Sequence, residues 1–409
     1  MDKSLFIKNR NKIFDLMEDN SSFIIFSKKS TKDDIYNIKY NVNRNFYYIC
    51  GILEYGDIIV LSKKNNKKSE IIFIKPYDEL EAKWVGAPFS KEEINKLSGI
   101  KDIRYVNMFN KDIMDLLKDI DNVYFDINTE NDDINQNQAF VDKILDKYPN
   151  INIVNGRELF AKARTIKEPE EIEEIEKAIE ITNKGILNVL NHMGPMYEFQ
   201  LESYFDQAIK YYGATGYAFP TIAASGINAT CLHYTDNNSK ALDGDLILLD
   251  LGCSLNMYCS DITRTFPVNG KFSDRQKEIY NIVLNGQKVV FDNIKPGRTT
   301  KELNNILIKY YEKELIKIGL IKDPSEVKKY YYHGVSHHIG LDCHDLCEYK
   351  ELKPGSIISC EPGLYIPEER IGIRIEDDVL VTENGARWLS PQIIKTVDEI
   401  EEYIRRNKK

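Results

Sequence analysis

Apolar residues in the first 160 positions follow two alternating patterns. Short runs rich in β-branched and aromatic residues predict strands at 22–26, 46–49, 57–61, 70–74, 123–127 and 151–154. Between these runs, apolar residues recur at helical spacing and predict helices at 91–97, 111–120 and 138–147. This alternation predicts a layered α/β domain.

The pattern changes near residue 161, and a long amphipathic helix is predicted to begin at Pro169. Pro169 is a favoured first-turn residue, and the acids after it suit the positive end of a helix. Isoleucines spaced by three or four positions then mark one apolar face. We therefore predict a domain boundary at residue 165, which separates residues 1–165 from residues 166–409.

The second half mixes helices and strands without a regular repeat. Apolar spacing predicts helices at 170–192, 199–212, 274–293 and 300–318. Strand-like segments are predicted at 245–251, 260–268, 356–361 and 371–381. This order predicts a mixed α+β domain and not a βαβ array.

Composition narrows the class of protein. The chain has 64 Asp and Glu against 55 Lys and Arg, a formal charge of −9, so extensive nucleic-acid binding is not expected. No apolar run reaches the ~18 residues of a membrane span, and the start of the chain lacks the apolar core of a signal peptide. We therefore expect a cytoplasmic protein with neither a nucleic-acid nor a membrane partner.

The seven cysteines are odd in number and scattered, which is typical of reduced intracellular proteins and not of a disulfide framework. Cys343 and Cys347 have the spacing of half a zinc site. No matching second pair is present, so we do not predict a thiolate zinc centre.

Histidines are concentrated in one short segment. Four of the six lie between 333 and 344, and histidine is both the commonest metal ligand and the side chain that titrates near neutral pH. We interpret His338 and His192 as structural. The spacing of His333 and His337 resembles a zincin helix, but Gly334 replaces the required glutamate, so that alternative fails.

Four acids in strand-like segments suggest a metal site: Asp250, Asp261, Glu361 and Glu376. A buried carboxylate without a partner is costly, and neighbouring carboxylates repel one another unless a cation neutralises them. Two strands joined by a short turn could bring Asp250 and Asp261 side by side. Within the strand-like segment 371–381, the period of two puts Arg374, Glu376 and Asp378 on one face.

The chemistry of these donors narrows the choice of metal. Bridging carboxylates suit a site with two metal ions. Oxygen donors with a single imidazole favour Mn²⁺ or a similar hard ion over zinc bound by thiolates. We therefore predict two divalent metal ions, with Mn²⁺ as the preferred species.

Together these segments resemble the pita-bread metallopeptidases, and within them the Xaa-Pro aminopeptidases (aminopeptidase P). The resemblance rests on the spacing of Asp250 and Asp261 and on four motifs, which are Ala224–Tyr234, His333–Asp345, Glu361–Tyr365 and Gly372–Asp378. Segments 43–51 and 84–86 also resemble the N-terminal domain of that family. The resemblance covers nearly the whole chain and implies an α/β N-terminal domain followed by an α+β pita-bread catalytic domain.

The resemblance implies a role for each candidate residue. Asp250 would bind one metal, and Asp261 and Glu376 would bridge both, while His337 and Glu361 would complete the ligand set. Arg374 would anchor a ligand carboxylate from behind, and Thr263 is a weaker candidate for the same task. His233, His333 and His344 would be catalytic or substrate-binding residues, and Glu361 would also move the proton.

The activity implied is hydrolysis of the N-terminal Xaa-Pro bond of peptides that have proline in second position. The N-terminal domain would restrict the cleft and help to form a homodimer or higher oligomer. The nearest alternative is a prolidase, which acts on Xaa-Pro dipeptides. More distant alternatives are a catalytically inactive domain that binds peptides or proteins, and a creatinase-like hydrolase.

Overall fold

A computed structural model of the chain describes residues 1–28, 42–127 and 133–407, without the side chains of 133–137. The chain divides into two compact units, Met1–Arg164 and Thr165–Lys409. This division lies beside the boundary that the sequence predicts at residue 165. The two units are described separately.

The first unit is a layered α/β structure. Its helices are α1 (Lys3–Leu16), α2 (Arg44–Cys50), α3 (Glu79–Val85), α4 (Lys91–Ser98), α5 (Phe109–Leu116), α6 (Asp133–Lys147) and α7 (Arg157–Thr165). Its strands are β1 (Ser21–Phe26), β2 (Ile58–Lys64), β3 (Lys67–Ile74), β4 (Asp102–Tyr105), β5 (Asn122–Phe125) and β6 (Asn152–Asn155). In the described ranges these strands form one mixed sheet in the order β4-β3-β2-β1-β5-β6.

The segment predicted as a strand at 46–49 is instead part of helix α2, so that prediction was wrong. The Asn43 side chain accepts hydrogen bonds from the backbone N–H groups of Asn45 and Phe46, which caps the start of the helix. Gly51 ends it in the left-handed conformation with φ of 71°. Residues 45–50 are all buried, so the aromatic run reflects burial around a short helix and not a sheet.

The predicted helix at 111–120 is also shorter than expected. Helix α5 ends at Leu116, and the chain turns at Asp119, whose φ is 61°. A left-handed residue cannot continue a right-handed helix. The apolar residues Leu117 and Ile120 still pack into the core beneath the sheet, which explains the helical spacing of the pattern.

The second unit combines long helices with several small antiparallel sheets. Its helices are α8 (Pro169–Asn191), α9 (Glu198–Tyr211), α10 (Asp274–Phe291), α11 (Thr300–Lys317) and α12 (Val397–Asn407). Its strands are β7 (Gly216–Tyr217), β8 (Ile222–Ser225), β9 (Leu246–Leu251), β10 (Cys253–Leu255), β11 (Tyr258–Cys259), β12 (Ile262–Pro267), β13 (Ile357–Cys360), β14 (Gly363–Ile366), β15 (Ile371–Arg374), β16 (Asp377–Val381) and β17 (Ala386–Trp388).

Two of these sheets carry the acids singled out from the sequence. Strand β9 pairs antiparallel with β12, and Asp250 lies opposite Thr263 in the register. Asp261 immediately precedes β12, so the chain, after passing through β10 and β11, returns it to the end of β9 that carries Asp250. The antiparallel pairing of β9 with β12 therefore brings the two carboxylates to the same end of the sheet.

The segment 371–381 is not one strand, so the shared face predicted for Arg374, Glu376 and Asp378 was wrong. Strand β15 pairs with β14, whereas β16 pairs with β13 in a different sheet. At the break, the backbone N–H of Glu376 donates to the Thr263 carbonyl at 3.0 Å. Glu376 therefore lies at a junction between sheets, which the period-two pattern could not reveal.

The fold class predicted from the sequence, an α/β first domain and an α+β second domain, is confirmed. Across the described ranges, no helix combines the length and the apolar character needed to cross a bilayer.

Candidate active site

A cavity of about 390 Å³ lies in the second unit, and its walls differ in character. One part is apolar, with Phe219, Pro220, Ile222 and Leu232. Nine of the ten predicted site residues line the remainder: Asp250, Asp261, His337, Glu361, Glu376, His233, His333, His344 and Arg374. The structure thus brings together side chains from strands, turns and the histidine-rich segment.

The centre of the cavity is a group of donor atoms. One atom each from Asp261, His337 and Glu376 lie within 4.8 Å of one another, a spacing that could hold a metal ion. Nε2 of His337 is 3.4 Å from Oδ2 of Asp261, 3.5 Å from Oε1 of Glu361 and 3.9 Å from Oε1 of Glu376. Three carboxylates therefore surround one imidazole nitrogen.

The imidazole of His337 is oriented by the chain around it. Its Nδ1 lies 3.2 Å from the His338 carbonyl, and its backbone N–H donates to Oγ of Ser359 at 2.9 Å. With Nδ1 directed at a carbonyl, Nε2 is the nitrogen that faces the carboxylates. Histidine ligands are usually oriented in this way, with the second ring nitrogen bound to a backbone or carboxylate oxygen.

Asp250 is held on one side only. Its Oδ2 accepts a hydrogen bond from Nη2 of Arg374 at 2.6 Å. Its Oδ1 is buried and has no hydrogen-bond partner among the described residues. Burial, and then the nearby Asp261, raise the pKa of Asp250 to about 6 even though Arg374 opposes them. An unsatisfied oxygen of this kind fits a bound cation.

Thr263 supports the site from behind the cavity wall. Its hydroxyl donates to Oε2 of Glu376 at 2.6 Å and accepts from Nε of Arg374 at 3.1 Å. Arg374 and Thr263 thus fix two of the candidate ligands, Asp250 and Glu376. Burial, followed by the neighbouring acids, raises the pKa of Glu376 well above its ordinary value.

His333 belongs to a directed chain of hydrogen bonds. Arg374 Nη1 donates to the Tyr365 hydroxyl at 3.1 Å, and that hydroxyl lies 2.9 Å from His333 Nε2. His333 Nδ1 lies 2.7 Å from the Gly334 carbonyl. Burial lowers the pKa of His333 to about 4, so the ring is neutral and both its nitrogens are engaged within the protein.

His233 and His344 are the more exposed histidines of the cavity wall. The His344 ring centroid lies 4.2 Å from that of His337. Burial, followed by the charge of His337, lowers the pKa of His344. His192, in contrast, stacks on Tyr204 with ring centroids 3.9 Å apart and does not line the cavity.

The structure adds Cys343 to the site, a residue that the sequence analysis treated only as half of a zinc pair. Its thiol donates to Oδ2 of Asp261 at 2.9 Å and lines the cavity. Cys347 instead contacts the Tyr349 carbonyl at 3.3 Å. The two cysteines therefore have separate partners, and only the position of Cys343 inside the histidine-rich segment could have indicated its place.

Arg264 and Asp377 support the site, although neither was singled out from the sequence. Arg264 Nη1 donates to the carbonyls of Thr263 at 2.9 Å and Glu376 at 2.6 Å. Its Nη2 donates to Oδ1 of Asp377 at 2.7 Å, and both side chains are fully buried. This ion pair therefore holds the backbone of Thr263 and Glu376 in place. The sequence signal that could have revealed Arg264 and Asp377 is that each is adjacent to a candidate site residue.

The donor set fits a divalent cation. Buried carboxylates that lie close together and have raised pKa values lack a neutralising positive charge. A metal ion would supply that charge. The unsatisfied Oδ1 of Asp250 and the inward-facing Nε2 of His337 are the atoms that such an ion would satisfy.

We expect the metal-free protein to become less stable as pH rises. Burial raises the pKa of Glu361 to about 7 and that of Asp250 to about 6, so between about pH 4 and pH 7 the folded state binds more protons than the unfolded chain. Burial lowers the pKa of His337, but Asp261 outweighs it and raises the value to about 9. The protonated His337 therefore stabilises the folded state below about pH 6.5, and this stabilisation is lost as pH rises towards 9.

All three groups act in the same direction, and bound metal would replace the protons. Melting temperatures measured with EDTA and with saturating Mn²⁺ should therefore separate by several degrees more at pH 8 than at pH 5. A separation that stays constant or narrows over this range would contradict the metal assignment.

Known proteins match both units of the chain. The family model described as metallopeptidase family M24 matches residues 173–383, and the model of the aminopeptidase P N-terminal domain matches residues 6–124. An Xaa-Pro aminopeptidase from Haemophilus influenzae is 32% identical over 98% of this chain and 96% of its own length. An Xaa-Pro aminopeptidase from Escherichia coli is 31% identical over 97% and 96%, respectively.

Solved structures give the same match in three dimensions. The chain superposes with a TM-score of 0.94 on a protein from Bacillus anthracis, provisionally described as an aminopeptidase P, at 43% identity over 100% of this chain and 99% of that one. Aminopeptidase P from Escherichia coli, solved with the inhibitor Pro-Leu, matches with a TM-score of 0.90 at 30% identity and the same coverage.

Proposed function

The chain belongs to metallopeptidase family M24, and from this premise we propose that it is an aminopeptidase with two divalent metal ions that hydrolyses the N-terminal Xaa-Pro bond of peptides. One observation carries the proposal above all. The cavity joins carboxylates and an imidazole, within metal-binding distance of one another, to an apolar wall that could contact a proline ring. The full-length relatives named Xaa-Pro aminopeptidase support the same substrate class.

Five side chains would hold the metal ions. Asp250, Asp261, His337, Glu361 and Glu376 face the cavity and offer four carboxylates and one imidazole. Hard oxygen donors of this kind favour Mn²⁺. When bound, the metals supply an activated water at neutral pH and polarise the scissile carbonyl. Asp261 and Glu376, whose carboxylates lie 3.4 and 3.9 Å from His337 Nε2, would be shared between the two ions.

Glu361 moves the proton. Its Oε1 accepts a hydrogen bond from Ser359 at 3.0 Å, which fixes the carboxylate, while Oε2 points towards His333, 3.8 Å from Nδ1. A carboxylate held beside the attacking water can accept a proton and then release it. Glu361 takes the proton of the attacking water and delivers it to the proline nitrogen as the amide bond breaks.

His344 and His233 stabilise charge on the substrate. Both line the cavity beside the metal-binding group and are exposed to the space that a peptide would occupy. Each donates a hydrogen bond, one to the developing oxyanion and one to a substrate carbonyl. Such fixed donors contribute most when water is displaced from the cavity.

The apolar wall binds the proline ring. An Xaa-Pro bond has no N–H, so a site that recognises an extended backbone by that group handles it poorly. Phe219, Ile222 and Leu232 offer apolar surface instead of a hydrogen-bond acceptor. His333 completes the wall as a neutral ring, because both its nitrogens are already engaged with Tyr365 and Gly334.

The first unit has a separate role. It restricts access to short peptides with a free N-terminus, and it contributes to a homodimer or higher oligomer. Its match to the aminopeptidase P N-terminal domain supports both roles. A sedimentation or light-scattering measurement that finds only monomers would contradict the oligomer. A cytoplasmic location is part of the same proposal.

An assay with matched peptides tests the substrate class. We expect the Mn²⁺-loaded protein to release the first residue of an Xaa-Pro-Xaa tripeptide and to lose this activity when treated with a chelator. Turnover of the Xaa-Pro dipeptide instead would identify a prolidase. A protein that binds no metal and cleaves neither peptide would be a binding module.

A further inference from the structure

A buried carboxylate, that of Glu198, organises the segment that carries His233. Glu198 is the first residue of helix α9 and is fully buried. Its Oε1 accepts from the N–H of Ser225 at 2.7 Å, from the Ser225 hydroxyl at 2.7 Å and from Nδ2 of Asn228 at 3.0 Å. Its Oε2 accepts from the Tyr234 hydroxyl at 2.8 Å and from the N–H of Ser239 at 2.8 Å.

These five bonds offset the cost of burying a charge. A carboxylate without partners in the interior is strongly unfavourable, whereas bonds from neutral donors to an ionised acceptor are about twice as strong as neutral pairs. The first turn of a helix also favours a negative side chain. Glu198 therefore stabilises one arrangement of the chain from Ser225 to Ser239, which it fixes at the start, the middle and the end.

His233 lies next to one of these fixed points. The hydroxyl of Tyr234, the following residue, donates to Glu198. Tyr234 and the preceding residue, Leu232, both pack against a buried apolar cluster that includes Leu248 and Tyr365. The carbonyl of Thr230 accepts from the Tyr332 hydroxyl at 2.7 Å, which holds the segment from the other side. His233 itself is exposed in the cavity, so its neighbours in the segment set its position.

We propose that Glu198 is a positioning residue for His233: it acts on catalysis only by holding the segment 225–239 in the arrangement that presents the imidazole to the substrate. This inference rests on the proposed role of His233 in Xaa-Pro cleavage. Glu198 is fully buried and does not line the cavity, so a substrate bound there would not touch it.

The test is a double-mutant cycle with a matched control. Glu198→Gln keeps the side-chain volume but replaces one accepting oxygen by an NH₂ group, which donates. We expect kcat/KM to fall about tenfold, mainly through kcat, because a small misplacement of a catalytic group slows the reaction strongly. In a His233→Ala background the same change should have no further effect. Glu202→Gln is the control. Glu202 lies one turn later on α9 and accepts a single bond from Asn237, in the same segment, at 2.9 Å. Glutamine keeps an oxygen that accepts this bond, so kcat/KM should stay within about twofold.

A second variant keeps the test decisive if Glu198→Gln does not fold. Tyr234→Phe removes one of the five donors, and its smaller loss of activity should also disappear in the His233→Ala background. An equal fold-loss with and without His233 would overturn the proposal, because Glu198 would then act by another route.

A readout independent of activity separates this proposal from the proposed function. Hydrogen exchange of the peptide spanning 226–239 should be faster in Glu198→Gln than in the wild type and unchanged in Glu202→Gln. Unchanged exchange in Glu198→Gln would refute the positioning role, whatever the substrate is. A wild type that cleaves no Xaa-Pro peptide would refute the proposed function, while faster exchange would still show that Glu198 holds the segment.

Discussion

Replacing Asp261 by asparagine should lower kcat/KM by at least about 10³-fold, which corresponds to ~4 kcal/mol of lost transition-state stabilisation. Asp261 lies at the centre of the donor group, with its Oδ2 3.4 Å from Nε2 of His337 and 2.9 Å from the Cys343 thiol. A carboxamide keeps the shape but removes the charge that would bridge the metals, and metal-assisted hydrolysis depends on that charge. Kinetics with a tripeptide substrate and metal content after gel filtration measure the two losses together.

The fold should survive this substitution. Removing one of several crowded carboxylates relieves repulsion in the metal-free protein, which offsets the lost pairing of Asp261 with His337, so the unfolding midpoint in EDTA should change little. Asp236→Asn makes the same chemical change on an exposed side chain and should leave both activity and metal content unchanged. An Asp261→Asn variant with normal metal content and normal turnover would exclude the proposed ligand set.

Replacing Asp377 by asparagine should cost about 3–5 kcal/mol of stability, the usual effect of leaving one member of a buried ion pair without its partner. Burial alone would raise the pKa of Asp377, but Arg264 and Lys395 hold it below its ordinary value, so the side chain is charged. It accepts from Arg264 at 2.7 Å, from Lys395 at 2.8 Å and from Ser390 at 2.5 Å. Asparagine would leave the fully buried Arg264 without a counter-charge.

Urea unfolding and calorimetry measure this effect. The melting temperature of the second unit, Thr165–Lys409, should fall by roughly 10 °C, since ~1 kcal/mol corresponds to ~2–4 °C in a domain of that size. Both are best recorded in EDTA, so that bound metal does not mask the change. Asp398→Asn alters an exposed acid of the last helix and serves as the control. A loss of less than about 1 kcal/mol in the free energy of unfolding would mean that the buried Arg264 does not need Asp377 as its counter-charge.

The two predictions separate what binds the metal from what holds the binding residues in place. Asp261 faces the cavity, whereas Asp377 does not line it and acts through Arg264 on the carbonyls of Thr263 and Glu376. We expect Asp377→Asn to weaken metal binding as well, because the backbone that carries Glu376 would lose its anchor.

Local patterns predicted helices α8 to α11 and strands β9, β12 and β13 of the second unit. They failed where tertiary packing outweighed local preference. The aromatic run at 46–49 has the composition of a strand, but an asparagine cap and burial on every side make it helix α2. At 371–381, alternation continues across a break that only the pairing of β15 with β14 and of β16 with β13 reveals.

The candidate site was predicted in a similarly uneven way. The carboxylates and histidines could be found because their residue types and spacing carry the chemistry, and the structure places nine of the ten candidates around one cavity. No role was predicted for Cys343, Tyr365 or Arg264, although each lies in or beside a segment that carries candidate residues. Their roles depend on partners that lie far away in sequence.

The sequence by itself therefore determined the fold class, the family resemblance and the set of candidate ligands, since periodicity and ligand chemistry are properties of nearby positions. Only the tertiary structure decided which atoms face one another. Thr263 reaches Glu376 across 113 positions, and Arg374 reaches Asp250 across 124. Contacts at such separations are set by how two sheets meet around a buried ion pair, and no local pattern records that packing.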